Sequence, residues 1–177
     1  VGVLGGAVAF TTWPSKAILP SFCNTHTHAS MMFLRGIGED KNLFDWLNQE
    51  IFPREAKLKP EHIYSLSRYA VLEMIKTGTT CFVDMYFHIS GTLKAVQDIG
   101  LRAVIPYLGM DFFDDKNTEN DIQQASKYLE VPFKDSKITK VLSCHSRYTC
   151  SQKLIQKFSE LAKKYHTYLQ LHVSETQ

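Results

Sequence analysis

Cysteine is scarce and scattered in this sequence: Cys23, Cys81, Cys144 and Cys150 are the only four among 177 residues, and no two form a CxxC pair. Such usage excludes a disulfide-stapled secreted scaffold and favours a reducing, cytoplasmic setting. Charge of a single sign is lacking too. Twenty Lys and Arg oppose eighteen Asp and Glu, a formal charge of +2, and no block of like charge is long enough to act as an interaction tail. Nothing therefore marks a nucleic-acid partner. No apolar run is long enough to span a bilayer; the apolar opening, residues 1–11, is short and lacks the basic residues that begin a signal peptide, so no membrane partner is expected. Repeats of fixed period, low-complexity tracts and Ser/Gly linkers are absent, which leaves one domain over 18–177 behind a short N-terminal segment, 1–17.

What is present builds a core. Hydrophobic residues make up 44% of the chain, aromatic residues 12% and charged residues only 21%, the balance of a globular protein. Runs of β-branched and apolar residues at 17–24, 79–85, 102–108, 140–145 and 168–173 predict five strands. Between them lie segments of helical period. Pro60 opens one whose stripe is Ile63, Leu66, Ala70, Val71, Met74 and Ile75, and Gly78 closes it. Ser151 caps another, with Leu154, Ile155, Phe158, Leu161 and Ala162 inward. Helices are also expected over 93–99 and 121–130, and a short one near 43–51 that Pro53 breaks, placed where a cover over the pocket could sit.

Strand and helix in alternation predict an α/β fold with a parallel sheet, either an open doubly wound sheet or part of a (β/α)8 barrel. No GxGxxG or GxxxxGK[ST] follows any strand, so the nucleotide-binding argument for the open sheet is missing. The histidines favour the barrel. His26 and His28 follow the first apolar run and, two apart on a strand, can face one cavity. An HxH triplet alone is a weak signal. His172 ends the fifth predicted strand, however, and His145 the fourth, so four of seven histidines fall at the C-terminal strand ends where barrel active sites form. Neutral imidazoles gathered there suit zinc or a related ion, and Glu175, three residues after His172, suits a proton carrier. His62 and His166 are expected at the surface, His88 either beside the site or in a solvated loop, and Asp84 in a structural role. The cysteines read as small buried hydrophobes.

The run Pro20-Ser21-Phe22-Cys23-Asn24-Thr25-His26-Thr27-His28-Ala29 precedes Leu34-Arg35-Gly36, Trp46-Leu47, Pro53 to Leu58, Thr77-Gly78-Thr79-Thr80 and Val83-Asp84-Met85-Tyr86. His145 to Ser151 and His172-Val173-Ser174-Glu175-Thr176 follow. In this order the motifs resemble the amidohydrolase superfamily, and within it the methylthioadenosine/S-adenosylhomocysteine deaminases and related chlorohydrolases. The resemblance implies a distorted barrel of which about five βα units are present, one metal, usually zinc, and a small β-sandwich of which 1–17 would be a remnant. It implies His26, His28 and His172 as metal ligands and Glu175 as proton shuttle. Glu55 and His145 match substrate-contacting positions, with Trp46 in the segment over the pocket. Zinc, or another divalent metal such as iron, is the implied cofactor, and a purine nucleoside or analogue the implied small-molecule partner, in a homo-oligomer or in a barrel completed by further chain. The chain departs from the pattern at Ser21, at Arg147 where Pro is common, and at Tyr107, near a position where some relatives place a substrate-binding Arg.

The family barrel also carries a catalytic His on a sixth strand and a metal-binding Asp on an eighth, and no counterpart of either is present. Since a closed barrel takes about 250 residues, the expectation is a portion of a longer enzyme or one completed by a second chain, nearly inert alone. Other readings stay open: a guanine deaminase or triazine chlorohydrolase of the same architecture, or a non-catalytic truncated paralogue serving as a binding module.

Overall fold

The computed structural model describes residues 19–133 and 135–175. The N-terminal segment 1–17 and the start of the first predicted strand lie outside the described residues. Five strands form one parallel sheet in sequential order: β1 (Phe22–Thr27), β2 (Thr79–Asp84), β3 (Arg102–Gly109), β4 (Ile138–Ser146) and β5 (Leu169–His172). The fold is five strands of a (β/α)8 barrel, with each strand beside its predecessor and helices between.

The connecting helices are α3 (Pro60–Lys76), α4 (Ile89–Ile99), α5 (Asp115–Glu130) and α6 (Gln152–Lys164). Pro60 starts α3 as its sequence predicts, since the first turn needs no N–H from it. Ser151 caps α6 by accepting from the Leu154 amide. Both α4 and α5 begin earlier than their apolar stripes suggest. α5 starts at Asp115 because the Asp114 side chain accepts from the Lys116 and Asn117 amides. His88, left-handed at φ 49°, turns the chain into α4. The helices cover the outer face of the sheet. Phe82, Ile105, Val71 and Val96 meet in one core, and Leu142, Cys144, Leu154 and Phe158 in a second. Gly91 lets α4 touch α3: a Cβ there would lie 2.5 Å from the Pro60 carbonyl oxygen. Of the cysteines, Cys144 and Cys150 are buried as expected, whereas Cys23 is exposed on β1.

After β1 the chain makes a 3-10 turn (Ala29–Leu34) and then the short helix α1 (Leu43–Asp45), a π-helical turn (Trp46–Ile51) and α2 (Phe52–Glu55). The expectation that Pro53 breaks this helix is overturned. The widened π turn, with the Phe52 amide reaching back to the Leu47 carbonyl, moves the carbonyls that the proline ring would otherwise strike, and the helix runs on to Glu55.

Candidate active site

The sheet is curled enough for its first and last strands to converge at their C-terminal ends. Gln170 on β5 donates to the Asp84 carbonyl at the end of β2, 2.8 Å across the interior. His26 and His172 thereby come within 4.9 Å, ring centre to ring centre, and His28 and His172 within 5.2 Å. One ligand atom from each of His26, His28 and His172 lies within 4.8 Å of the others.

These three side chains fit a metal. The His28 Nδ1–H donates to the Met85 carbonyl at 2.6 Å, which leaves Nε2 as a lone-pair donor turned towards His26. The two Nε2 atoms are 3.2 Å apart. Ligands at about 2.0–2.1 Å from a tetrahedral zinc stand roughly 3.3 Å from one another, a spacing the His26–His28 pair already has, with His172 inside the 4.8 Å span of the set. Burial lowers the His28 pKa to about 4, with His26 and His172 pressing the same way. Burial lowers that of His172 as well, against the pull of Glu175. Both rings are uncharged at neutral pH, the form that binds metal.

His145 stands beside the cluster rather than in it, 5.3 Å from His172 between centroids, with Nδ1 2.8 Å from the Thr149 hydroxyl. Burial lowers its pKa to about 4. Glu175 accepts from the Tyr148 hydroxyl at 3.1 Å. Glu55, at the end of α2, accepts from the Tyr86 hydroxyl at 2.6 Å, and its half-buried carboxyl is raised by burial. Trp46 is pinned by its indole N–H to the Ile37 carbonyl at 2.7 Å. A cavity of about 110 Å³ touches His28, His172, His145, Glu175, Glu55 and Trp46, and its remaining walls are mainly apolar. Above it Phe112, exposed at the rim with φ 49°, meets the Phe52 ring edge to face. The buried Asp111 holds that rim loop by accepting from the Ser151, Thr118 and Phe113 donors.

Several sequence candidates lie elsewhere. His62 caps α3 by accepting from the Lys59 amide, and His88 and His166 are exposed outside the cavity. Tyr107 turns to the helical layer, where its hydroxyl donates to Asp121 and its ring packs near Phe158, so it does not line the cavity. Arg147 is exposed. Sequence reasoning missed Tyr86, Tyr148 and the Met85 carbonyl as the groups that orient Glu55, Glu175 and His28; the position of Tyr86, two residues past the last residue of β2, was the available signal.

Asp84 is wholly buried, and its carboxylate accepts from the Ala29 amide at 2.9 Å. Burial raises its pKa to about 6, against hydrogen bonds from Ala29, Met85 and Thr92. The folded chain therefore holds a proton there that the unfolded chain releases near pH 4. Relative to Asp84→Asn, the wild-type chain should lose roughly 2–3 kcal/mol of stability as pH rises from about 4 to about 6, and little more above that. Urea unfolding of both proteins across that range measures the difference; a flat difference contradicts the burial argument.

The family model described as "Amidohydrolase family" matches residues 17–177. A 5'-deoxyadenosine deaminase of Methanocaldococcus jannaschii is 41% identical over 164 residues, 92% of this chain and 39% of that protein. Among solved structures, a zinc-bound adenosine deaminase of Xanthomonas campestris superposes with a TM-score of 0.77 at 28% identity, over 89% of this chain and 36% of its own. A guanine deaminase of C. acetobutylicum with bound guanine gives 0.76 at 26% identity, over 89% and 40%. The chain thus spans about two fifths of the length of the relatives it matches. Among the described residues, no helix is long and apolar enough to cross a membrane.

Proposed function

The chain belongs to the amidohydrolase family, and from that premise we propose that the closed barrel of which these five strands form part deaminates an adenosine-type nucleoside by metal-assisted hydrolysis. The observation that carries the reading is the convergence of His26, His28 and His172 on one point beside a cavity that also touches Glu175 and Glu55. The 5'-deoxyadenosine and adenosine deaminases among the relatives support the substrate class.

His26, His28 and His172 would hold zinc. When bound, the metal supplies Lewis acidity that makes water a competent nucleophile near neutral pH. Glu175 would take one proton from the water and place it on the ring nitrogen, where it stays, and would carry the second, from the added hydroxyl, to the departing amine, so that amine and water become carbonyl and ammonia. Tyr148 holds that carboxylate beside His145. His145, uncharged at neutral pH, offers the substrate a hydrogen bond without adding positive charge next to the metal. Glu55 accepts from a substrate donor, and the apolar wall with Trp46 keeps water off the purine face. The His and Asp that the resemblance places on a sixth and an eighth strand would complete the machinery.

The test joins metal analysis to turnover. A protein completed to the relatives' length should bind one zinc per chain and convert 5'-deoxyadenosine to the inosine analogue with release of ammonia; guanine and a chlorotriazine are the comparison substrates. Preference for either comparison substrate overturns the nucleoside assignment. Absence of stoichiometric zinc overturns the metal site itself.

A further inference from the structure

Resting on the deaminase reading, we propose that Tyr86 is a positioning residue: its hydroxyl fixes the Glu55 carboxylate as the acceptor for a hydroxyl donor on the substrate, at a distance from the metal ligands set by β2.

Three consecutive residues at the end of β2 organise the site from below. Asp84 accepts from the Ala29 amide through its side chain and from Gln170 through its carbonyl, tying the turn after β1, and β5, to this strand. The Met85 carbonyl orients His28. The Tyr86 hydroxyl donates to one oxygen of Glu55 at 2.6 Å. Asp84, Met85 and Tyr86 are 1%, 1% and 3% exposed, so none has freedom to shift. A helix end brings Glu55 to the cavity, but α2 is a single turn following a π segment and gives it little rigidity of its own. The buried phenol supplies what the helix lacks. It engages Oε1 in a charge-assisted hydrogen bond, the class that is both shorter and stronger than neutral pairs. Among the described hydrogen bonds the second oxygen, Oε2, has no protein partner, and the residue lines the cavity. Acceptor capacity held in place at a pocket wall is what recognition of a substrate hydroxyl needs. The geometry also links the two anchoring points: Met85 aims the metal ligand and its neighbour Tyr86 aims the acceptor, so reacting carbon and bound hydroxyl are spaced by one rigid strand end.

The decisive variant is Tyr86→Phe, which removes one oxygen and keeps the ring stacked on Phe87. In a protein completed to the relatives' length, KM for 5'-deoxyadenosine should rise about tenfold while kcat changes less than threefold and zinc content stays at one. The double variant Tyr86→Phe/Glu55→Gln should be no worse than Glu55→Gln alone, because both act through the same contact. Unchanged KM, equal losses in kcat and KM, or additive effects overturn the proposal. If the unmutated protein turns over no nucleoside, the deaminase reading fails. Positioning is then judged on the present chain by carboxyl-carbon NMR: Tyr86→Phe should raise the Glu55 titration midpoint, because a donor to the charged form is lost, and an unmoved midpoint overturns it.

Discussion

In a protein completed to the relatives' length, substituting His172 with alanine is expected to weaken zinc binding by two to three orders of magnitude and to abolish the proposed deamination. Structural zinc sites of four protein ligands are worth about 10–16 kcal/mol, so each ligand carries about 2.5–4 kcal/mol, or ~10²–10³ in affinity. His172 is the ligand that joins the two ends of the sheet. His26 and His28 share one strand end and could still grip an ion as a pair, but without β5 the third imidazole is lost. Competition with a chromogenic chelator measures the loss. His62→Ala is the control, because His62 is exposed and belongs to the start of α3. Equal zinc affinity in the His172 variant and the parent would remove the physical basis of the proposed mechanism.

In the same completed protein, replacing Glu175 by alanine should lower kcat by about 10²–10⁴ with zinc retained, the usual worth of a positioned general acid-base. The carboxylate lies three residues beyond His172 and touches Tyr148, not the three-imidazole cluster. Its loss therefore separates proton transfer from metal binding. Formate in the assay should restore part of the rate in Glu175→Ala by occupying the vacated space, and should do nothing for the parent enzyme. A variant that keeps near-parental turnover, or that loses zinc along with activity, would place the proton carrier elsewhere.

Much of the architecture follows from local pattern. The five β-branched runs, the Pro60 start, the Ser151 cap and the 3.6-residue stripes of α3 and α6 are each set by contacts within a few residues; β2 to β5 begin and end close to where their runs do, whereas β1 starts only at Phe22 and runs three residues past the end of its run at 17–24. His26 and His28 face one side because strand geometry alternates side chains, a rule that needs no tertiary information. Three features escape such reading. Pro53 is tolerated because the chain widens into a π turn that ends two residues earlier, at Ile51, a choice made by the packing of Leu47 and Ile51 against Leu34 rather than by propensity. Tyr107 faces the helices because β3 is registered on β4 from Ala103 to Gly109, and that pairing sets which residues look inward. The contact of Tyr86 with Glu55 crosses 31 positions of sequence and arises only when α2 folds over the mouth of β2.

The sequence by itself determined the order of strands and helices, the placement of histidines at strand ends and the family to which the chain belongs. Only the tertiary structure decided that residues 26, 28 and 172 meet, because that depends on the accumulated twist and curl of five paired strands. No single strand encodes the curl. It emerges from the stagger of all of them, and it brings the last strand back to within one ring's width of the first.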